Sequence, residues 1–412
     1  MIKRIITILI ALCIVLPLAS CSDSAVRYGA GRSEVAQTEV PSGSITAQPE
    51  PETTEPVPEI HKRISLAAVG DDIIYQAGFT DARNRAAGSR EFNFLPNYEN
   101  IREAISGADI SFVNQETLMA GADYGYSDYP RFNSPQVLLD DLITVGFDVI
   151  SIANNHMLDM GTPGLRDTIA YYKSKSDSVT MIGGYDNDQD FMTPRVIERD
   201  GVKIAFVAFT YGTNGLKLAS GSDIFVPYID DDDIRRAVAA GKEAADIVIL
   251  SMHWGNENNF TPSDDQRHAA QVAADAGAFA IIGHHPHVIQ PVEWFTGKDG
   301  NQMLCIFSLG DLIAVMMKSY NMLSGLVTFD IVQDNDLFHI ENVLFTPLVF
   351  HFGPSYYNGK IYYLKDFTND LASTFGNVYG ITDNKERLEG YVKRYIDEEF
   401  LPDYLKDPES GE

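Results

Sequence analysis

Short apolar segments rich in β-branched and aromatic residues alternate with amphipathic segments through the middle of this 412-residue chain. The helix-like segments 134–145 and 263–276 are each followed by a glycine, Gly146 and Gly277, which is a common way for a helix to end. The predicted strands are 64–69, 108–113, 148–153, 202–209, 246–252 and 279–282. Because strands that alternate with helices pack as sheets covered by helices, the pattern predicts an α/β layered domain.

The character of the chain changes after residue 308. Segments 325–332 and 338–345 have the pattern of two antiparallel strands, and the polar run 333–336 supplies the turn between them. A strongly charged stretch at 384–401 predicts a helix packed on the outside of the domain. We therefore expect the main domain to span 62–355 and a C-terminal helical extension to span 356–412.

Polar side chains follow nearly every predicted strand at the point where the strand ends. These segments are Gly70-Asp71-Asp72, Asn114-Gln115-Glu116, Asn154-Asn155-His156, Tyr211-Gly212-Thr213-Asn214, His253-Trp254-Gly255 and Gly283-His284-His285-Pro286-His287. Active sites of α/β sheets gather at the carboxyl ends of strands, where loops from different strands converge. One such segment is compatible with an ordinary turn, whereas several in the same position indicate a shared site.

Five of the nine histidines fall in these segments. Imidazole nitrogens, together with carboxylate and amide oxygens, are the ligands of Mn, Fe, Zn and related ions. In His285-Pro286-His287 the proline limits backbone freedom, so the two histidines can reach two sites from one rigid loop. The alternative is a structural histidine cluster held by hydrogen bonds, and for His253 beside Trp254 this alternative stays open.

The segment around His156 carries the candidate catalytic residues. The amide oxygen of Asn155 is a suitable metal ligand, and the adjacent His156 is then placed to act on a substrate. Asp159, three residues later, is placed to orient the His156 ring through a ring N–H. His156 and Asp159 are therefore the predicted catalytic pair.

The order and spacing of these segments resemble the CapA family of capsule or poly-γ-glutamate biosynthesis proteins, within the calcineurin-like metallophosphatase superfamily. The matching stretches are Val69-Gly70-Asp71, Asn114-Gln115-Glu116, Ala153-Asn154-Asn155-His156 with Asp159 and Gly161, Tyr211-Gly212-Thr213-Asn214-Gly215, His253-Trp254-Gly255 with Glu257, Gly283-His284-His285-Pro286-His287-Val288 with Gln290, and Phe307-Ser308-Leu309-Gly310-Asp311. Together they span residues 64–313. As an ordered set they are highly specific.

The resemblance implies a metallophosphatase-like four-layer sandwich, in which two mixed sheets are flanked by helices and a site for two divalent ions (Mn, Fe or Zn) lies at one end. The implied ligands are Asp71 and His287 for one ion, Asn155, His253 and His285 for the other, and Glu116 as the bridge between them. His156 is implied to act as an acid or as an electrostatic stabiliser. The implied substrate contacts are Arg131, Tyr211, Asn214 and Glu257. For Arg131, an ordinary surface-loop arginine is the alternative.

Three positions depart from the pattern of the superfamily. Ile73 stands where the first motif usually has a histidine, so the first ion loses a ligand. Glu116 replaces the usual bridging aspartate, and Asp311 stands where the family more often has asparagine. With three candidate ligands against four, we expect the first ion to bind more weakly than the second.

The N-terminus has the features of a secreted lipoprotein. Lys3 and Arg4 precede an almost wholly apolar run, 5–18, which is too short to span a membrane comfortably and is followed by Leu18-Ala19-Ser20-Cys21. This ending resembles the bacterial lipobox and predicts a signal peptide at 1–20 and lipid on Cys21. Residues 21–61 are rich in Pro, Glu and Thr and predict a disordered tether. The alternative is a plain secreted protein with an incidental Cys21.

The formal charge of −27 disfavours nucleic acid as a partner, because an acidic surface repels phosphate backbones. The resemblance implies a metal-dependent hydrolase or transferase, anchored to the membrane outside the cytoplasm, that acts on poly-γ-glutamate or another anionic capsule component. Capsule synthesis or export proteins are the expected partners. The metal set and His156 favour an enzyme. The loss of a first-motif histidine favours a non-catalytic accessory or anchoring protein, and a transporter's substrate-binding lipoprotein would leave the ligand segments unexplained.

Replacing Cys21 with Ser is expected to release the protein from membranes or to leave an unprocessed precursor, because serine cannot carry the thioether-linked lipid. Each buried methylene of an acyl chain contributes about 0.8 kcal/mol to membrane binding. Membrane fractionation and intact-mass measurement check this prediction. A fully processed Cys21→Ser protein that stays in the membrane fraction would rule out the lipid anchor.

Overall fold

Two mixed β-sheets face each other at the centre of the computed structural model, which describes residues 61–316, 318–376 and 384–407. The predicted signal peptide (1–20) and nearly all of the predicted tether (21–61) lie outside the described residues; residue 61 is the first of a strand. Among the described residues, the longest helix has 14 residues, and none is long and apolar enough to cross a membrane.

The strands are β1 (His61–Asp72), β2 (Ile110–Gln115), β3 (Val149–Ser151), β4 (Thr180–Ile182), β5 (Arg195–Arg199), β6 (Val202–Thr210), β7 (Ile247–His253), β8 (Ala280–His284), β9 (Val292–Thr296), β10 (Gln302–Ile306), β11 (Asp311–Ile313), β12 (Leu323–Asp334), β13 (Leu337–His351) and β14 (Lys360–Tyr363). Each of the eight strands predicted from sequence lies within, or overlaps, one of these. The edge strand β14 begins after residue 355, where the sequence predicted the end of the main domain. That domain boundary stays a prediction.

The helices are α1 (Gln76–Asn84), α2 (Leu95–Tyr98), α3 (Arg102–Gly107), α4 (Val137–Val145), α5 (Gly161–Lys173), α6 (Asp188–Phe191), α7 (Asp231–Ala244), α8 (Asp264–Ala276), α9 (Asn369–Thr374) and α10 (Lys385–Tyr395). Local sequence explains their ends. Ser263 and Gln266 form a capping box at the start of α8, and Gly146 and Gly277 close α4 and α8 in the left-handed conformation. The helix predicted at 384–401 ends earlier, at Tyr395.

The first sheet has the order β14-β13-β12-β1-β2-β3-β4, with β11 also paired to β1. Strands β1 to β4 run parallel, and β12 to β14 are antiparallel additions. The second sheet has the order β5-β6-β7-β8-β10-β9, with a parallel centre and an antiparallel strand at each edge. The parallel strands of each sheet therefore end at one edge, and this is the edge that carries the polar segments.

Three buried hydrophobic layers hold the sheets and helices together. In β1, the alternate residues Ile64, Leu66 and Ala68 face the core between the two sheets, whereas Ala67 and Val69 face the helices outside the first sheet. A third cluster lies between the second sheet and helices α7 and α8. The α/β four-layer sandwich with two mixed sheets, which the family resemblance implied, is confirmed. Helices α9 and α10 follow β14, and Leu388 and Val392 of α10 belong to the hydrophobic core between the sheets. A separate helical extension over 356–412 stays a prediction.

Strands β1 and β11 approach each other closely at two glycines. The amide of Asp71 donates to the carbonyl oxygen of Gly310 at 2.9 Å, and a Cβ added to Gly70 would lie 1.9 Å from the same oxygen. A side chain at Gly70 would therefore push apart the two strands that carry Asp71 and Asp311.

The substitution Gly70→Ala is expected to lower the free energy of unfolding by at least about 2 kcal/mol, because overpacking forces the backbone to move. Urea denaturation measures the change. Gly107→Ala is the matched control, since a Cβ there meets nothing within 4 Å. Equal unfolding midpoints for the two variants would contradict the close approach.

Candidate metal centre

The carboxyl ends of strands from both sheets bring the predicted ligands together in one buried cluster. Asp71 lies at the end of β1, His253 at the end of β7, and His285 directly after β8. Glu116 follows β2, and its amide donates to the carbonyl oxygen of Asp72. Parallel pairing aligns these ends; for example, His253 is the register partner of His284.

Glu116 lies at the centre of this cluster. Its Oε1 atom lies 3.7 Å from Nε2 of His253, 3.9 Å from Nε2 of His287 and 4.0 Å from Nε2 of His156. These distances are too long for hydrogen bonds. Both carboxylate oxygens are buried and have no hydrogen-bond partner. Ligand atoms about 2.0–2.2 Å from one tetrahedral zinc-like ion lie roughly 3.3–3.6 Å apart, so these atoms need to move inward by only a few tenths of an ångström to share a cation.

The imidazole-rich ligand set consists of Glu116, His253 and His285, whose candidate ligand atoms lie within 4.8 Å of one another. Asn155 adds an amide oxygen, 2.9 Å from Nε2 of His253. Nδ1 of His285 is buried without a partner. The four residues that sequence motifs assigned to one ion are thus brought together.

The carboxylate-rich ligand set consists of Asp71, His287 and Asp311, again with candidate ligand atoms within 4.8 Å. Nδ1 of His287 lies 2.8 Å from Oδ1 of Asp311 and 3.8 Å from Oδ2 of Asp71. Oδ2 of Asp311 is buried without a partner. Asp311 was not among the predicted ligands, although it ends one of the motifs, and its pairing opposite Asp71 places it here.

Charges in the two sets are not balanced by the protein alone. Burial, and then the charge of Asp71, raises the pKa of Glu116 well above its ordinary value. Burial also raises the pKa of Asp311 to about 7, although His287 opposes the shift. For Asp71, burial acts to raise the pKa. The contacts with His284, the charge of His287 and the hydrogen bond from the His285 amide outweigh burial, so the pKa is lowered.

The imidazoles of the first set are held neutral. Burial, and then the neighbouring histidines, lowers the pKa of His253 well below its ordinary value. The same causes lower the pKa of His285 to about 3. Neutral imidazole is the form that binds metals, and a divalent ion supplies the positive charge that buried carboxylates need. The donor atoms, their spacing and their missing partners therefore fit divalent cations.

His156 and Asp159 form a hydrogen-bonded pair beside the cluster. Nδ1 of His156 lies 2.8 Å from Oδ2 of Asp159, which also accepts the amide N–H of Phe132 at 2.6 Å. The ring of Phe132 meets the His156 ring edge-on, with centroids 4.7 Å apart. The imidazole is thus held on two sides, and its Nε2 atom faces Glu116. Phe132 was not singled out from sequence.

The four predicted substrate contacts lie at the surface around the cluster. Tyr211 stacks at an angle on His285, with ring centroids 4.5 Å apart, and burial followed by nearby Glu257 raises its pKa to about 12. Asn214 accepts a hydrogen bond from the Asn155 amide at 3.3 Å. Arg131 is exposed and directly precedes Phe132. Glu257 is exposed, yet its carboxylate lies within 4.8 Å of ligand atoms of His285 and His287, so it is also a candidate metal ligand.

Two further residues orient the ligands and were missed as site residues. Nδ2 of Asn114 donates to Oδ1 of Asp71 at 2.7 Å and lies 3.4 Å from Nδ1 of His253. His284 is buried against Phe112, and its Nδ1 atom lies 3.2 Å from Oδ1 of Asp71. Both stand inside polar segments recognised from sequence, but only the paired sheets show which atoms they touch.

Residues 65–316, more than half of the chain, match the family model described as bacterial capsule synthesis protein PGA_cap. The capsule biosynthesis protein CapA of Bacillus anthracis is 28% identical over 258 residues, which are 61% of this chain and 60% of that protein. The PGA biosynthesis protein CapA of Bacillus subtilis (strain 168) is 32% identical over 180 residues, 41% of this chain and 43% of that protein. The chain thus spans less than two thirds of each relative.

Among solved structures, the calcineurin-like phosphoesterase YfkN of Bacillus subtilis is 13% identical. The alignment covers 82% of this chain and 97% of that one, with a TM-score of 0.38. The two mixed sheets and their flanking helices, described above, themselves establish the fold class.

Titration calorimetry with Mn and Zn is expected to show two classes of binding site, because one ligand set is rich in imidazole, which suits Zn, and the other in carboxylate, which suits Mn. His253→Ala should remove about one bound ion. His339→Ala is a matched control, since His339 lies by the N-terminal end of β1, far from the cluster. Unchanged stoichiometry in both His253→Ala and His285→Ala would contradict the assignment.

Proposed function

Since the chain belongs to the bacterial capsule synthesis protein PGA_cap family, we propose that it is a metal-dependent hydrolase or transferase that acts on a cell-envelope polymer. The names of its relatives and the family resemblance suggest poly-γ-glutamate or another capsule component as the substrate. We further propose that the protein works outside the cytoplasm, held at the membrane by lipid on Cys21, with capsule synthesis or export proteins as partners.

One observation carries the enzymatic proposal. Both oxygens of Glu116 are buried without hydrogen-bond partners among three imidazole Nε2 atoms at 3.7–4.0 Å. Leaving a buried charge unpaired costs roughly several kcal/mol, so the Glu116 carboxylate is expected to bind a cation. A structural histidine cluster would instead satisfy the carboxylate directly.

The residues around the ligand sets divide the chemistry between them. A pair of divalent cations, when bound, polarises the group that is cleaved and makes water a better nucleophile. His156 presents Nε2 toward the same space and is placed to protonate a leaving group or to stabilise developing negative charge. Asp159 accepts a hydrogen bond from Nδ1 of His156, which leaves Nε2 directed at the cluster.

Substrate charge is handled locally rather than by the whole surface. The chain carries a formal charge of −27, which repels a polyanion at long range. Cations in the cluster and the exposed Arg131 offset this repulsion at the site. Tyr211 and Asn214, at the rim, provide an aromatic face and amide groups for the substrate chain, and Glu257 limits how much negative charge can approach.

A non-catalytic accessory protein is the second candidate. The supporting observation is Ile73, which packs with Phe132 and Ala314 where the superfamily usually has a metal-binding histidine. Under this alternative the protein keeps the fold, and at least part of the metal centre, while it helps to assemble or export the polymer.

The variant His156→Ala distinguishes the two candidates. For an enzyme, we expect the variant to fold and to bind metal normally but to lose roughly 10²–10⁴-fold in rate, the usual contribution of a general acid or base. The measurements are metal content, turnover of a panel of phosphoester and γ-glutamyl substrates, and polymer production in a deletion strain. His339→Ala serves as the control.

Normal metal content together with full polymer production by His156→Ala would count against catalysis. Loss of polymer production with normal metal content would support the enzyme. If the variant also lost its metal, His156→Gln would be compared, because it keeps a polar side chain of similar reach but cannot transfer a proton.

A further inference from the structure

Four aromatic rings join the C-terminal helix α10 to loops of the metal centre. Phe260 stacks on Tyr395, with ring centroids 4.5 Å apart and planes at 16°, and on Tyr391 at 5.4 Å and 9°. Tyr320 meets Phe260 at 5.5 Å and Tyr391 at 6.1 Å, both nearly edge-on. We call these four residues the aromatic brace. Stacked and edge-on aromatic pairs stabilise a contact beyond what burial alone contributes.

Phe260 belongs to the loop that leads from His253 to α8 and carries Glu257. This loop is bound to the histidine loop by its backbone, since the amide of Asn258 donates to the carbonyl oxygen of Pro286 at 2.7 Å. Gln290 donates to the carbonyl oxygen of Asn259, also at 2.7 Å. A displacement of Phe260 would therefore be transmitted to both His285 and His287.

Asn321, next to Tyr320 of the brace, makes the second connection. Its Nδ2 atom donates to the carbonyl oxygen of His287 at 2.8 Å and to Oδ1 of Asn258 at 3.1 Å. The side chain is almost completely buried, with 2% of the residue exposed. One amide group thus ties the two metal-centre loops to each other.

These loops need external support because their backbone is strained. Asn258, His285 and His287 have φ angles of 60°, 96° and 56°, in the left-handed region that residues other than glycine rarely adopt. Such a residue destabilises the fold locally and persists only where its surroundings impose the conformation. Two of the three are candidate metal ligands.

We propose that the aromatic brace and Asn321 position the metal-binding loops, so that the C-terminal extension sets the affinity of the metal centre. Tyr320, Asn321, Tyr391 and Tyr395 all lie beyond residues 65–316, the segment matched by the family model. They are positioning residues, since none contributes a ligand atom. This inference rests on the metal centre of the proposed function.

The expected effect follows from what outer contacts do in metal sites. Removing a group that orients a ligand typically lowers metal affinity 10–100-fold. The strained loops can relax once the brace or the Asn321 amide is lost. Part of the free energy of metal binding is then needed to restore the strained conformation, so the measured affinity falls. The fold should survive, because Phe260 and Tyr391 are only partly buried where they pack against the core between the sheets, and most of that core is formed by other residues.

The test compares full-length variants by competition for Zn and Co with a chelating dye, by Co absorption spectra and by thermal unfolding of the metal-free protein. Tyr395→Ala removes a ring of the brace, whereas Tyr395→Phe retains it. Asn321→Ala removes both amide bonds. Asn100→Ala is its control, an exposed asparagine between α2 and α3 whose Nδ2 donates to the carbonyl oxygen of Ile361 at 2.8 Å.

We expect Tyr395→Ala and Asn321→Ala to bind metal 10–100-fold more weakly, with altered Co spectra. Tyr395→Phe and Asn100→Ala are expected to match the wild type. Wild-type affinity in both alanine variants would overturn the inference, as would a loss that Tyr395→Phe does not rescue. If Tyr395→Ala did not fold, Asn321→Ala alone would decide. A wild-type protein that binds no metal would instead overturn the metal centre, and this inference with it.

Discussion

Buried carboxylates gathered at one edge of two sheets are the constraint on which the rest of this structure depends. Asp71, Glu116 and Asp311 lie inside the protein at the ends of strands, and the oxygens of Glu116 accept no hydrogen bonds. Water cannot solvate them, and His287, the imidazole whose pKa they raise, cannot alone balance three carboxylates. The fold tolerates these buried carboxylates because it holds ligand atoms at fixed positions, where a divalent cation can bind to them.

The sandwich supplies those fixed positions by pairing two sheets at one edge. The first sheet contributes Asp71 and Glu116, and the second contributes His253 and His285, so neither sheet alone holds a complete set. Close backbone contacts between β1 and β11, permitted by Gly70, bring Asp311 opposite Asp71. The geometry of the site is therefore set by the packing of the two sheets rather than by a single loop.

The sequence predicted eight of the fourteen strands in the described residues and most of the cluster, because polar residues that follow apolar strands form a local pattern. It did not predict Asp311, Asn114 or Phe132 as contacts of the site. Their roles arise from which strands become neighbours: β11 lies against β1 and the Phe132 loop lies against Asp159, and neither pairing leaves a periodic signal. The sequence did not predict the connection from α10 through Phe260 to the histidine loop for the same reason, since the connection joins segments that are distant in the chain.

The position of β12 has a consequence for how the chain folds. β1 is central in its sheet, with β2 on one side and β12 on the other, and Leu66 pairs with Phe329 far along the chain. During synthesis, the hydrogen-bonding edge of β1 that receives β12 stays open until most of the protein has been made. Such long-range pairing slows folding, and an open strand edge invites association with other chains. A nascent chain of this kind is therefore expected to depend on chaperones until its C-terminal strands arrive.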